Sequence, residues 1–553
     1  MPLSTLLSRL TCLLAAAGLS FAVQAQTAPS WLGATALGSG PNFTGAAVVD
    51  AAGNTYEVSA FNAPTLSLGG TTLTNEGSNN STDAILAKYT PAGTLAWVRQ
   101  IGSAGSESAL GVALDAAGNA YVVGDFGGNI DLGNGVQLNT GSATNARRFF
   151  VARYSPQGTA TWAQQSTTSA VGGGVGVDAA GNVWVGGYYS TSLTIGSASI
   201  SSTSPGRPGT FLARFAASTG ALQSLYKAFE YGPASGSAAY YYPTLAVAPS
   251  GETYLINDFN QPAVFSGTSL TSRGGMDVLV AKYSAQGTFE WAQQLGGPGD
   301  ERGRAGTCDA TGHLYLAGFF AGSAAAGTTP LTSAGDVDGV LLKYSPQGSL
   351  QWAQTSGGPG PDALGYVALD AAGNPYVVGN FSGTARFGTA TLTSAGDRDM
   401  SVAAYTAQGQ LRWLQQAGGP GFDSGSYLGL DARGDVFVRG AFAGTCAFGP
   451  INLASALPRE VFVARLGNSA LATKPSSPTA LAFYPNPAHA ELHLPALPAG
   501  TRLHVLDALG RTVRETQVTG AAPVSVRGLR PGLYTLRAID AQGRSYTGRV
   551  RVE

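Results

Sequence analysis

Apolar residues come in short runs rich in Val, Ile, Leu, Tyr and Phe, separated by Gly, Asn, Asp and Pro. Runs of this length bounded by turn residues predict strands. No stretch of useful length carries the 3.6-residue spacing of an amphipathic helix. The runs group in fours. In the clearest group the first strand is expected over about 365–370, and Ala371-Ala372-Gly373-Asn374 reverses the chain, since Gly and Asn tolerate the positive φ of such turns. The second strand is expected over about 376–381. A long loop follows, with Phe387-Gly388, Leu392-Thr393-Ser394 and Gly396-Asp397. The third strand is expected over about 401–405 and the fourth over about 410–415, joined by a Thr-Ala-Gln-Gly turn.

This group repeats. Its first turn is marked by Asp50, Asp115, Asp178, Ala248 (degenerate), Asp309, Asp370 and Asp431, a period of 61 to 70 residues. Each copy closes on a third strand, a turn and a fourth-strand aromatic: Trp97, Trp162, Tyr226, Trp291, Trp352 and Trp413. The seventh copy stops at Arg465 without that aromatic, while Trp31 stands alone near the N-terminus. The pattern predicts an all-β, seven-bladed β-propeller of four-stranded blades, with the N-terminal strand and its Trp31 completing the last blade. Closure of that kind leaves no bare edge. An open solenoid would need capping repeats, and none is visible.

The motif Asp-x-x-Gly-Asn-x-Tyr-Val-x-Gly-x-Phe, then Leu-Thr-Ser-x-Gly, then Lys-Tyr-x-x-x-Gly, resembles the bacterial SBBP β-propeller repeat over about residues 31–466. That resemblance implies an extracellular propeller and is nearly silent on ligand. After Gly467 the composition changes. A Ser/Pro/Ala linker spans 468–480, and 481–553 reads as a small antiparallel β-sandwich. This module resembles the type A C-terminal sorting domain of the type IX secretion system. The resemblance rests on Tyr484-Pro485-Asn486-Pro487, on Asp507 with Gly510 and Arg511, on Gly528-Leu529 with Gly532 and Tyr534, and on Arg549 and Arg551 in the last strand. It implies transport across the outer membrane by that machinery, then release or attachment to surface lipopolysaccharide.

Composition narrows the partners. With 78 Gly, 44% hydrophobic and 11% charged residues, the chain fits many short strands and not a disordered segment. Nine Arg and five acids give 479–553 a charge of +4 within a net −1; removing these and Arg9 leaves 21 bases and 27 acids, −6, for 26–478. A weakly acidic body without a basic stripe argues against nucleic acid. Residues 1–25 read as a signal peptide, with Arg9, an apolar run from Leu10 to Val23 and small residues before a cut after Ala25. The rival, a membrane anchor, needs about 20 apolar residues. No other stretch is apolar enough to span, so the mature chain is expected to lack a transmembrane segment. Cys308 and Cys446 occupy unrelated positions in different repeats, which speaks against a disulfide framework.

Candidate chemistry is sparse. His313 takes a turn position, and His489, His493 and His504 fall in the sorting module, so neither zinc spacing nor a Ser-His-Asp set emerges. The turn aspartates and strand aromatics repeat, which assigns them to the scaffold. Further acids, Glu107, Asp300, Glu301, Asp362 and Asp423 after the fourth strand and Asp83, Asp277, Asp336, Asp338, Asp397 and Asp399 before the third, should share one face. Their oxygens could hold Ca²⁺ or staple loops; the repetition favours staples, and no catalytic, metal or cofactor residue is assigned. The repeats break between the third and fourth copies. There Tyr188, Tyr231, Tyr240 and Tyr241, with Asp258 and Asn260, suit stacking on a glycan or contact with a peptide. The bland alternative is that these tyrosines fill a gap. The leading reading is a non-enzymatic surface or secreted binding protein. A polysaccharide hydrolase or lyase with two converging carboxylates, or a purely structural surface protein, are the alternatives.

Overall fold

The structure, a computed structural model, describes residues 28–38, 45–77, 81–140, 147–203, 207–232, 242–467, 479–495, 497, 501–507, 512–518, 523–539 and 545–553. The signal sequence reading therefore lies outside the described residues, as do Tyr240, Tyr241, Gly510 and Arg511. The chain divides into two compact units, Met1–Leu466 and Gly467–Glu553. Among the described residues every regular element is a strand.

The first unit is built from antiparallel four-strand meanders. In the copy read most clearly, Ala363–Leu369, Pro375–Phe381, Asp399–Tyr405 and Leu411–Ala417 pair in that order. The Asp that opens the first turn works as expected. Asp370 Oδ1 accepts from the amides of Ala372 (2.9 Å) and Asn374 (3.0 Å), and Oδ2 accepts from Asn374 Nδ2 (3.0 Å). Asp50, Asp115 and Asp178 make the same set. A side chain that satisfies two backbone amides and one side-chain amide fixes the turn from within.

The stretch expected as a long loop is instead a hairpin, Thr384–Phe387 with Ala390–Thr393. It does not serve its own repeat alone. Phe387 pairs with Ser356 and Arg386 with Gly357, both on the fourth strand of the preceding repeat. The same crossing joins Ala326 to Leu295, Val264 to Glu230 and Ile195 to Ser166. Each of these hairpins thus covers an edge its predecessor would leave bare.

Aromatic packing joins repeats on the other side. Gly409 has φ +84°, and a Cβ there would come 2.9 Å from the Trp352 ring of the preceding repeat. Trp352 Nε1 donates to Ala407 O of that turn (3.1 Å), and Lys343 Nζ donates to the same oxygen (3.1 Å). Trp97 and Trp291 repeat the arrangement over Gly158 and Gly348. So the Lys, Gly and Trp of the closing motif form one contact between neighbours, and their recurrence follows from packing.

The N-terminal strand Ser30–Gly38 is hydrogen-bonded beside Glu460–Gly467, the third strand of the last repeat. The element is the expected one, but Trp31 is not in the expected seat. A Cβ on Gly93 would meet Thr35, not an aromatic ring. Trp31 packs edge-on to Phe448 at 5.0 Å and lies over Gly449, as Leu411 lies over Gly388. It holds the first apolar place of a fourth strand. Where the missing ring would sit, a cavity of about 290 Å³ opens between Gly33, Thr35, Pro91, Gly93 and Arg465.

The second unit has a sheet in the order Thr479–Ala480, Ser545–Val552, Gly532–Ile539, Arg502–Leu506, Thr512–Gln517, and a small pair Glu491–Leu492 with Val524–Ser525. It departs from the fully antiparallel expectation, because Thr479–Ala480 runs parallel to the last strand. Asn486 accounts for part of the Pro485-Asn486-Pro487 motif. Its Nδ2 donates to Arg549 O (3.1 Å) and its Oδ1 accepts from Arg551 N (2.9 Å), tying the entry segment to the last strand. Tyr534 is buried and donates to Arg530 O (2.8 Å), bridging the tight turn before Gly532. Asp507 is half-buried at the end of its strand.

Candidate ligand-binding face

The loops that leave the fourth strands and those that enter the third strands meet, as expected. Asp423 N donates to Arg398 O (2.7 Å), and Asp362 N to Val337 O (2.7 Å). Their acids point inward. Asp362 accepts from Gly358 N (2.7 Å) and Ser382 N (2.9 Å), Asp423 from Gly419 N (2.7 Å) and Asp399 from Ala395 N (3.0 Å). Burial pushes Glu107 and Glu301 up to about 7, and Asp362 and Asp423 up to about 6. The carboxylates of Asp83, Asp277, Asp338 and Asp399, respectively, add to the same upward shift. These acids are loop staples walled off from solvent. Among the described residues no three His, Cys, Asp or Glu side chains converge as a metal site would require.

First strands of the repeats line a cavity of about 340 Å³ through Ala47, Gly111, Gly174, Thr244, Ala305, Gly365 and Tyr427, one from each copy of the sequence repeat. Small residues dominate because the strands crowd at this point: a Cβ on Gly174 would come 2.7 Å from Leu245 N. Tyr242 stands at the rim, its Cβ against Gly173. It is 44% exposed, and its ring tilts 31° to that of Tyr188 at 5.8 Å.

A cation is fixed beside this pair. Arg147 opens toward solvent, its side chain 47% exposed, while Asp125, fully buried, holds its Nε in an ion pair. Arg147 Nη2 donates to Ser108 Oγ (3.0 Å). Burial raises the Tyr188 and Tyr242 hydroxyls, and Arg147 opposes that rise at both. The backbone sets this neighbourhood: Ala170 N donates to Arg147 O (3.1 Å), and Ala170 and Val171 pair with Tyr189 and Tyr188, so Tyr188, Tyr242, Arg147 and Asp125 form one cluster.

The other expected residues fall elsewhere. Tyr231 is 3% exposed; it packs edge-on to Phe229 at 5.2 Å, and its hydroxyl accepts from Asn257 Nδ2 (2.6 Å). It is a core residue, so the reading of it as a ligand contact is corrected. Asp258 is buried, accepts from Gly303 N (2.8 Å) and pairs with Arg302 at 3.5 Å; burial, opposed by those partners, carries it up to about 6. Asn260 is half-buried at the end of the same strand. Of the six residues expected at the site, only Tyr188 lies in the cluster on the described residues. Tyr242, Arg147 and Asp125 are not among the residues expected at the site from the sequence. A signal existed: the acid paired with the second-strand Phe, Asp83, Asp277 or Asp399 elsewhere, is Arg148 in the second repeat.

Residues 482–553 match the model described as the secretion system C-terminal sorting domain. The C-terminal unit carries a type IX sorting domain. The chain is accordingly exported by type IX secretion to the cell surface or the extracellular space, and its tail engages that machinery. The repeat unit is similar to an uncharacterized WD repeat-containing protein of Acanthamoeba polyphaga mimivirus, 23% identical over 56% of this chain and 26% of that one. The chain thus spans about a quarter of that relative's length. Among solved structures it is similar to BamB of Moraxella catarrhalis, 12% identical, covering 79% of this chain and all of that one at a TM-score of 0.32. PorZ, a surface component of the type IX secretion system of Porphyromonas gingivalis, is 12% identical over 92% and 91% of the two chains at 0.15. The tail and the repeat unit together make the molecule an exported, all-β repeat protein.

Proposed function

We propose that the repeat unit is a closed, seven-bladed propeller that binds a glycan at the mouth of its central cavity, with Tyr188 and Tyr242 as the stacking platform. Residues 1–25 would be its export leader, and 26–467 the blades. The paired rings of half-buried Tyr188 and exposed Tyr242 carry this reading, because a sugar's apolar face gains most from aromatic surface with polar groups at its edge. Closure is supported by a cavity lined from every copy of the repeat, and by Ala432 N donating to Ala51 O (3.0 Å) between the last repeat and the first. The buried ion pair of Arg439 with Glu57 spans the same two repeats. The full chain on a glycan array should retain a defined subset of sugars. Tyr242→Ala should lower that retention about tenfold or more while leaving the unfolding midpoint within error. Retention unchanged in Tyr242→Ala would remove the cavity mouth as the site.

A further inference from the structure

We infer that the ligand is an acidic glycan, a chain of uronic acids whose carboxylate is received by Arg147; this rests on the glycan reading above. Three observations lead there. First, the cation at the ring pair is built, not incidental: Asp125 is fully buried and holds Nε, Ser108 holds Nη2, and nearly half of the side chain faces solvent. An arginine anchored along one side offers a fixed, planar pair of donors on the other, and that geometry matches a carboxylate better than a hydroxyl. Second, the counter-ion is hidden. A sugar arriving at Tyr188 and Tyr242 meets the guanidinium and not Asp125, so the local field favours an anion. Third, a second cation opens onto the cavity beside Tyr242. Arg304, exposed on the first strand of the fifth repeat, lines the cavity whose wall includes Gly173, against which the Tyr242 Cβ packs, and its guanidinium lies 5.0 Å from the Phe319 ring. A polymer carrying a carboxylate on each sugar can meet both arginines, whereas a single acidic sugar meets one.

Titration calorimetry on the full chain provides the test, with oligogalacturonate, its methyl ester and dextran sulfate as probes. The acid should bind about tenfold to a hundredfold more tightly than the ester, the range expected of one charge-assisted contact. Arg147→Gln should erase that difference, and Arg147→Lys should keep part of it, since charge survives and the planar fork does not. Arg304→Gln should lower acid affinity by a smaller factor. Should Arg147→Gln fail to fold, the acid-to-ester ratio of the unaltered protein and of Arg304→Gln decides. Equal binding of acid and ester, tighter binding of dextran sulfate, or discrimination that survives in folded Arg147→Gln would each overturn the inference. If neutral glycans bind and Tyr242→Ala alone abolishes this, the acidic ligand is wrong and the glycan site stands. If no glycan binds, both fall.

Discussion

Buried acids set how this protein answers to pH. Glu107 and Glu301, near 7, and Asp362 and Asp423, near 6, stay protonated in the folded state at values where the unfolded chain ionises them, about 4. Their folded pKa is raised, so each costs stability above it and the cost vanishes as pH falls toward the unfolded value. Resistance to urea should therefore rise as pH is lowered from about 7.5 to about 4.5. Asp115 and Asp309 work oppositely. Burial raises them, but hydrogen bonds from their own turns outweigh it and leave them lowered, so their stabilisation is lost at more acid pH. Urea midpoints across this range give the profile, and Glu107→Gln should flatten its neutral limb. A midpoint that falls steadily from 7.5 to 4.5 would contradict the assignment.

At the scale of elements, most strands were legible because Asp-x-x-Gly-Asn turns and apolar runs report local geometry. The hairpin of Thr384–Phe387, expected as a loop, carries a local signature as well. Ala385 and Phe387 are buried and Thr384 and Arg386 are not, with Gly388 at φ +60° after them, which is strand alternation around a tight turn. The crossing to the preceding repeat left no such trace, because pairing between Phe387 and Ser356 is a long-range choice. Trp31 shows the same limit. Its strand could be assigned from a missing aromatic, but its register is set by the seat that Phe448 and Gly449 offer, distant in sequence. Tyr231 stands out in the sequence as a break in the repeat, whereas Tyr242, which follows Tyr241, is not singled out there. What separates them is the way each faces, and Asn257 inside the core claims the Tyr231 hydroxyl. The empty seat over Gly93 can be filled: nothing lies within 4 Å of a Cβ on Gly33. Gly33→Trp should restore the ring and raise the thermal midpoint by a few degrees, as cavity-filling changes of about 1 kcal/mol do. A lowered midpoint in calorimetry would show that the cavity rejects the ring.

For the whole molecule, the N-terminal strand decides whether the array is finished. Ser30–Gly38 covers Glu460–Gly467, and without it that third strand becomes an exposed edge open to pairing with another chain. A chain lacking residues 1–38 should self-associate, read by light scattering after gel filtration, while a strand peptide of 28–38 added in trans should reverse this. A monomeric, equally stable truncation would show that closure lies elsewhere. The hairpins carry a different consequence, for how such a chain can change its length over generations. The hairpins of the third to sixth copies each finish a sheet begun by the copy before, so a unit of inheritance need not coincide with a unit of shape. Loss or duplication of one whole period, cut at any phase, still leaves every outer strand with a cover. A cut of any other size strands one of them, and the even 61-residue steps from Ala248 through Asp309 and Asp370 to Asp431 are the spacing that such a constraint preserves.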